Sequence, residues 1–305
     1  MSALAGPLLL VAGLVLVVSG AELFFVGLIS TASRLRVAPF VLVVVVSGFE
    51  LENLVAGIAA NESGFGNVAA GTFLGGTTFI ALGVAGLSAI AAPIAAVLPP
   101  AVLVWTAAGP LPLVAVGLDG RLSRADGVLL VAWFVMCLAG LAFAGRGLSA
   151  GPTPSRHRLP VLRMLAGLAV LTGGGYALGE SLGRVLARFG ISQSLLGNVA
   201  IAAAVEAEEV ARVAVPARRG RGDVALGGLF GTIVHFAALN AGIICLVRPI
   251  SLDAATHDLH LPMAAASVLL LVACVATRGG ITRAAGAALL AVYVGYVAAA
   301  VVLGV

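Results

Sequence analysis

Five of the thirteen acidic residues of this sequence lie in two short clusters inside otherwise apolar segments. The clusters are Phe49-Glu-Leu-Glu-Asn-Leu54 and Val205-Glu-Ala-Glu-Glu-Val210. An acidic side chain at the centre of a membrane-spanning helix costs about 2.5–3.5 kcal/mol, so such residues face a protein interior or a water-filled cavity and are compensated there. A bound cation provides this compensation, and the clusters therefore predict a cation site.

The spacing within the clusters selects the ligands of this site. Residues three apart lie on one face of a helix, whereas residues two apart do not. Glu50 and Asn53 form one such pair, and Glu206 and Glu209 form the equivalent pair. Together these four residues predict a metal-ion site of three carboxylates and one amide oxygen, which suits Ca²⁺ or another hard cation.

A secondary ion or proton path is predicted beside the metal-ion site. Its candidate residues are Glu52, Glu208, Thr77, Thr232 and His235. The threonine hydroxyls either complete a coordination shell or bond the preceding turn, and His235 is either a proton carrier or an interior histidine. The alternative for all the glutamates is that they join helices in their uncharged form.

The composition indicates the elements that position these residues. Of 305 residues, 61% are apolar and 10% are charged, and the mean hydropathy is +1.16. Apolar stretches of about 15–23 residues match a hydrocarbon layer of roughly 30 Å. We predict an all-α polytopic membrane protein with ten transmembrane helices, at 7–29, 38–60, 67–90, 98–117, 127–145, 161–183, 191–214, 224–247, 262–277 and 284–304.

The sequence also divides into two comparable halves. A polar linker at 146–160 separates a first five-helix repeat, 1–145, from a second, 161–305. An odd number of crossings gives the halves opposite orientations, which is typical of an inverted repeat. Glu206 follows Glu50 by 156 residues, and the same offset relates Ala70-Gly-Thr-Phe-Leu-Gly75 to Leu226-Gly-Gly-Leu-Phe-Gly231.

The arginines predict the orientation and limit the partners. All 17 basic residues are arginine, and twelve of them, including Arg212, fall on one side of the membrane if the N-terminus is outside. The positive-inside rule therefore favours a cell-membrane protein with both termini outside. The lipid bilayer and inorganic cations are the expected partners, and nucleic acid is not, because no basic stretch has the required density.

The two acidic segments and the glycine-rich segments after them resemble motifs of the sodium/calcium exchanger superfamily of cation/Ca²⁺ antiporters. That family has ten helices in two inverted halves. Each half carries a Gly-Thr-Ser-Leu-Pro-Glu-Leu-like motif on its second helix and a Gly-Asn-x-x-Gly-Ser-Asn-like motif on its third. The resemblance covers most of the chain and is typical of a divergent prokaryotic member.

The resemblance implies which residues bind the ion. The family's ion-binding glutamate falls on Glu209 in the second half and on Asn53 in the first. The serine three positions earlier is replaced by Glu206 and Glu50, so both halves keep acidity at the site.

Other family positions have changed. The proline that normally breaks the second helix of each half is replaced by Glu52 and Glu208, and the late Asn or Asp ligand is replaced by Ile80 and Phe236. Sodium-coupled members rely on these positions, so the resemblance leaves both H⁺ and Na⁺ open as the coupling ion.

The resemblance implies a secondary antiporter that exchanges Ca²⁺ or another divalent cation for H⁺ or Na⁺ by alternating access. Such a protein is not an enzyme and needs no cofactor beyond the cations that it transports. Two alternatives remain: a non-transporting or sensor homologue with the exchanger fold, and a membrane enzyme that uses paired intramembrane carboxylates. The sequence shows no nucleophile, metal triad or cofactor loop for the enzyme.

Overall fold

The computed structural model describes residues 5–48, 51–148, 159–187 and 207–303, which are helical apart from loops and four two-residue strands. The described helices are α1 (Ala5–Leu35), α2 (Pro39–Val46), α3 (Leu51–Glu62), α4 (Gly66–Ala91), α5 (Pro100–Ala108), α6 (Leu111–Gly117), α7 (Arg124–Gly145), α8 (Pro160–Ala187), α9 (Ala207–Arg218), α10 (Gly222–Val247), α11 (Thr256–Arg278) and α12 (Arg283–Leu303).

Eight helical segments of the described chain are long and apolar enough to cross a membrane. They are Leu9–Leu35, Gly66–Ala91, Pro100–Gly117, Arg124–Gly145, Pro160–Leu178, Gly222–Val247, Thr256–Arg278 and Arg283–Val302. Aliphatic side chains such as Val15 and Val302 cover the outside, where a soluble protein carries polar groups. The predicted polytopic helical membrane protein is confirmed.

Two predicted helices are interrupted. The helix predicted over 38–60 is wrong as a continuous element, because α2 ends at Val46 and a turn follows at Ser47 and Gly48, while the described part of α3 runs from Leu51. The helix predicted over 98–117 is divided between α5 and α6 at Pro110, whose ring removes a backbone donor and disfavours helix in the preceding residue.

Helices α4 and α10 form the centre of the bundle. In the most apolar stretches of α4 and α10, 72% and 78% of the residues are buried, whereas 17% are buried in that of α12. Each contains one π-helical turn, at Phe79–Val84 in α4 and at His235–Asn240 in α10. Such π turns widen a helix and are frequent at functional sites.

The 156-residue offset of the sequence recurs in the element bounds. It takes the end of α3 (Glu62) to the end of α9 (Arg218), α4 (66–91) to α10 (222–247), and one π turn (79–84) to the other (235–240). Even the connecting turns agree, since Gly64 and Gly220 both have a positive φ, of 89° and 72°. Residues 51–91 and 207–247 therefore have the same succession of helices and turns.

Two short antiparallel strand pairs connect the halves. Strand β1 (Ile94–Ala95) pairs with β4 (Gly280–Ile281), and β2 (Arg121–Leu122) pairs with β3 (Ile250–Ser251). Neither pair was predicted, because two residues in a loop carry no periodic signal. In each pair, one strand comes from each half.

Helices α1 and α8 pack closely against each other through glycines. A Cβ atom added to Gly167 in α8 would lie 2.2 Å from the backbone nitrogen of Phe24 in α1, and one added to Gly27 in α1 would lie 2.4 Å from that of Met164. Such small residues let helix backbones approach within a membrane. An exposed ion pair, Arg219 Nη2 to Glu22 Oε2 at 2.8 Å, joins α1 to the turn after α9.

Candidate functional site

The predicted metal-ion ligands are only partly within the described residues. Glu50 and Glu206 lie outside them, while Asn53 lies half-buried in the first turn of α3 and Glu209 lies in α9. Within the described ranges, no three His, Cys, Asp or Glu side chains are placed to hold a metal ion. The four-residue site therefore stays a prediction.

Glu208 and Glu209 are the described members of the second cluster, and both are deeply buried. Their exposed fractions are 3% and 1%. The guanidinium of Arg212, one turn further along α9, lies between them, with Nη2 at 3.0 Å from Glu208 Oε1 and Nη1 at 2.5 Å from Glu209 Oε1. Burying a charge costs several kcal/mol, and the single positive charge of Arg212 offsets part of this cost for the two carboxylates.

The end of α2 meets the same guanidinium. Arg212 Nη1 donates to the backbone carbonyl of Ser47 at 2.7 Å, and the hydroxyl of Thr232 in α10 donates to that carbonyl at 3.2 Å. Because Ser47 follows the last residue of α2, its carbonyl lacks the partner that a continuing helix would supply. Side chains from the second half thus stabilise the interruption in the first.

His235 in α10 is fully buried behind this interruption. Its Nδ1 lies 2.8 Å from the carbonyl oxygen of Gly231, and its ring meets the Phe134 ring edge-on at a centroid distance of 4.7 Å. A Cβ atom added to Gly48 would lie 1.9 Å from His235 Cγ. The imidazole therefore lies directly against the turn between α2 and α3.

Replacement of Gly48 by alanine tests this packing. We expect Gly48→Ala to destabilise the protein by about 1–3 kcal/mol, because the new methyl group overlaps the His235 ring in a fully packed interior. The melting temperature in detergent measures the effect. Gly75→Ala in α4 is the matched control, since a Cβ atom there meets nothing within 4 Å, and equal melting temperatures for the two variants would contradict the packing.

The remaining candidates of the secondary path occupy different environments. The buried Thr77 hydroxyl donates to the carbonyl of Phe73 at 2.7 Å, so it bonds the preceding turn of α4. Of Glu52, the structure describes only its place in α3. Thr232 and Glu208 are the candidates that the structure brings together, because both are linked to the Ser47 and Arg212 contacts.

Sequence reasoning missed the role of Arg212. It counted this residue among the arginines on the inner side, whereas the structure buries it at 6% exposure between two carboxylates. The spacing was a usable signal, because residues three and four apart on a helix are neighbours, and Arg212 follows Glu209 and Glu208 at those distances. Ser47 gave no comparable signal in the sequence.

Comparisons with known proteins agree with this architecture. A family model described as sodium/calcium exchanger protein matches residues 5–143 and 159–302. The putative antiporter CaxA of Alkalimonas amylolytica is 27% identical over 315 residues, covering 96% of this chain and 98% of CaxA. The inner membrane protein YrbG of Escherichia coli (strain K12) is 27% identical over 267 residues, covering 80% of this chain and 81% of YrbG.

Solved structures share the fold. The sodium-calcium exchanger NCX_Mj soaked with zero Na⁺ and Ca²⁺ superimposes with a TM-score of 0.80, over 97% of this chain and 99% of the exchanger, at 22% identity. The same exchanger soaked with 2.5 mM Na⁺ and 0.1 mM Sr²⁺ gives a TM-score of 0.81, over 96% and 98%, also at 22% identity.

Proposed function

Because this chain belongs to the sodium/calcium exchanger protein family, we propose that it is a secondary antiporter that exchanges Ca²⁺ or another divalent cation for H⁺ or Na⁺. CaxA is described as a putative antiporter and NCX_Mj as a sodium-calcium exchanger, and both match nearly the whole chain. Transport is thus the activity that its relatives support, rather than enzymatic chemistry.

The burial of Glu209 is the observation that carries this proposal. Its side chain is 1% exposed within a bundle of membrane-spanning helices, at the position that the family resemblance gives to the ion-binding glutamate. A carboxylate at such depth is costly unless it has a function or a partner of opposite charge. A cation antiporter needs a carboxylate at which one cation can replace another.

We assign the cation to Glu50, Asn53, Glu206 and Glu209, with Glu52, Glu208, Thr77, Thr232 and His235 on a secondary ion or proton path. The contacts at Ser47 support this assignment. Ser47 precedes Glu50 by three residues, and its carbonyl accepts hydrogen bonds from Arg212 and Thr232 of the second half. The chain segments that carry the two acidic clusters therefore approach each other at this point.

The proposed architecture is ten transmembrane helices in two inverted halves, 1–145 and 161–305, joined by a cytoplasmic linker at 146–160. Three features support it: the matching element bounds, the π turn in each half, and the pairing of strands from one half with strands from the other. The arginine distribution supports a cell-membrane protein with both termini outside.

Alternating access is proposed to arise from sliding of α1 and α8 against the other helices. The glycine contacts support this, because they join α1 and α8 into one closely packed pair. Apolar side chains such as Phe24 and Leu28 form the contact with Val43 of α2. An apolar surface of this kind permits sliding.

Flux into liposomes tests the proposed function. Purified protein in liposomes should take up Ca²⁺, Mn²⁺ or Mg²⁺ when an outward Na⁺ or H⁺ gradient is imposed, and should not when the gradient is dissipated. A radiotracer or an enclosed metal-sensitive dye measures the initial rate, with protein-free liposomes as the control. Absence of uptake for all three cations under both gradients would exclude the antiporter.

A non-transporting sensor with the exchanger fold is the second candidate. The ion pairs of Arg212 favour it, since one of the two negative charges of Glu208 and Glu209 is already balanced without a transported ion. A sensor would bind cations, and its melting temperature would rise with them, but the liposomes would show no gradient-driven uptake. The two measurements together separate the candidates.

A further inference from the structure

We propose that Arg212 is a built-in counter-cation of the transport site, which holds the carboxylates when no transported cation is bound and must leave Glu209 before one can bind. This inference rests on the proposed antiporter function and concerns the selectivity of the same site. It assigns to Arg212 the discrimination between divalent and monovalent cations.

The contacts of the guanidinium are those of a bound cation. It lies within 3.0 Å of three oxygen atoms: the carboxylates of Glu208 and Glu209 and the carbonyl of Ser47. Carboxylate and backbone carbonyl oxygens are also the ligands that hard cations such as Ca²⁺ take in proteins. Arg212 therefore occupies oxygen atoms that a cation at this site would use.

Because the three side chains are buried, an entering cation competes with Arg212 for the carboxylates. A surface ion pair would instead separate into water. Arg212, Glu208 and Glu209 are 6%, 3% and 1% exposed, so water replaces little of any lost contact. Removing one partner from a buried pair leaves an uncompensated charge. A cation that binds the same oxygen atom of Glu209 must therefore replace the guanidinium there and supply the positive charge that it withdraws.

The covalent attachment of Arg212 sets it apart from a diffusible ion. It lies on the same helix as both carboxylates, three and four residues after them, so it accompanies them through any movement of α9. It balances one of their two negative charges and is not itself transported. A cation-free site thus keeps a positive charge beside its carboxylates.

The charge of the competitor explains the expected selectivity. At equal distance, a divalent cation attracts the same carboxylates twice as strongly as a guanidinium or a monovalent cation does. Either kind of ion breaks the hydrogen bond from the guanidinium to Ser47, but a monovalent ion only exchanges one unit charge for another. Arg212 thus favours divalent cations over Na⁺ at Glu209.

Substitution of Arg212 tests the inference by equilibrium binding to the purified full-length chain in detergent. With ⁴⁵Ca²⁺ as the probe, we expect Arg212→Gln to bind about 10–100-fold more tightly than the wild type, as when a competing state that occupies 90–99% of the molecules is removed. Na⁺, which should not displace ⁴⁵Ca²⁺ from the wild type, should displace it from this variant.

Two further variants make the test specific. Arg221→Gln is the matched control, because it removes another arginine–carboxylate pair, with Asp223 at 2.7 Å, and should keep wild-type affinity and selectivity. Arg212→Lys keeps the charge but loses the planar fork that reaches both carboxylates, so its affinity should lie between those of the wild type and Arg212→Gln. It decides the question if Arg212→Gln fails to fold.

The outcomes separate the inference from the proposed function. Wild-type binding of ⁴⁵Ca²⁺ with unchanged or weaker binding by a folded Arg212→Gln variant overturns the counter-cation and leaves the antiporter intact. If Arg212→Lys is the only variant that folds, wild-type Ca²⁺ affinity and wild-type Na⁺ sensitivity in that variant also overturn the counter-cation. Failure of the wild type and every variant to bind Ca²⁺, Mn²⁺ or Mg²⁺ overturns the proposed function itself.

Discussion

Replacement of Glu209 by glutamine is expected to abolish gradient-driven cation uptake while the protein still inserts and folds. Glutamine keeps the shape of the side chain but removes the charge that binds either the cation or Arg212. Loss of a residue that only supports a metal ligand typically costs 10–100-fold. We expect loss of a ligand to lower the initial rate more than about 100-fold, measured by tracer uptake into liposomes.

A second glutamate makes this result interpretable. Glu62→Gln neutralises an exposed carboxylate at the end of α3 and should leave the uptake rate at the wild-type value. The combined Glu206→Gln and Glu209→Gln variant removes both predicted carboxylates of the second cluster. Wild-type uptake by that combined variant would refute the site assignment.

Replacement of Gly167 by alanine is expected to damage both stability and transport. The added methyl group would lie 2.2 Å from the backbone nitrogen and 2.6 Å from the Cα atom of Phe24, and backbone atoms cannot turn aside as side chains can. Helices α1 and α8 must therefore separate locally, at a cost of about 1–3 kcal/mol. A lower melting temperature in detergent and a slower uptake rate measure the effect.

Gly173 provides the matched control on the same helix. A Cβ atom at this position meets nothing within 4 Å, and alanine favours helix over glycine by up to about 1 kcal/mol. Gly173→Ala should therefore melt at or above the wild-type temperature and transport normally. Identical behaviour of the two alanine variants would show that α1 and α8 do not depend on their close approach.

Long apolar helices were predictable from the sequence because their signal is dense. The helix predicted over 127–145 is α7, Arg124–Gly145, whose polar start at Ser123 forms a capping box with Asp126. The break after α2 was not predictable in this way. The run Val43–Val46 is uniformly apolar, and the groups that stabilise the break, Arg212 and Thr232, come from the other half of the chain.

In the candidate site, too, features that depend on neighbouring residues were predictable, and features that depend on packing were not. Burial of Glu208 and Glu209 followed from their apolar surroundings, and the family was evident from the motifs. Assigning Arg212 to a membrane surface failed because a count of arginines treats each one as exposed. Only the packed structure shows that this arginine turns inward, to the carboxylates on its own helix.

The strand pairs have a consequence for the order in which the protein is made. Ile94 in β1 pairs with Ile281 in β4, so 187 further residues (281 minus 94) must be synthesised before β1 meets its partner. At 5–20 residues per second this takes about 10–40 s. During that time β1 lacks the strand with which it pairs in the complete protein. Assembly is therefore completed only after β4 in the second half has been synthesised.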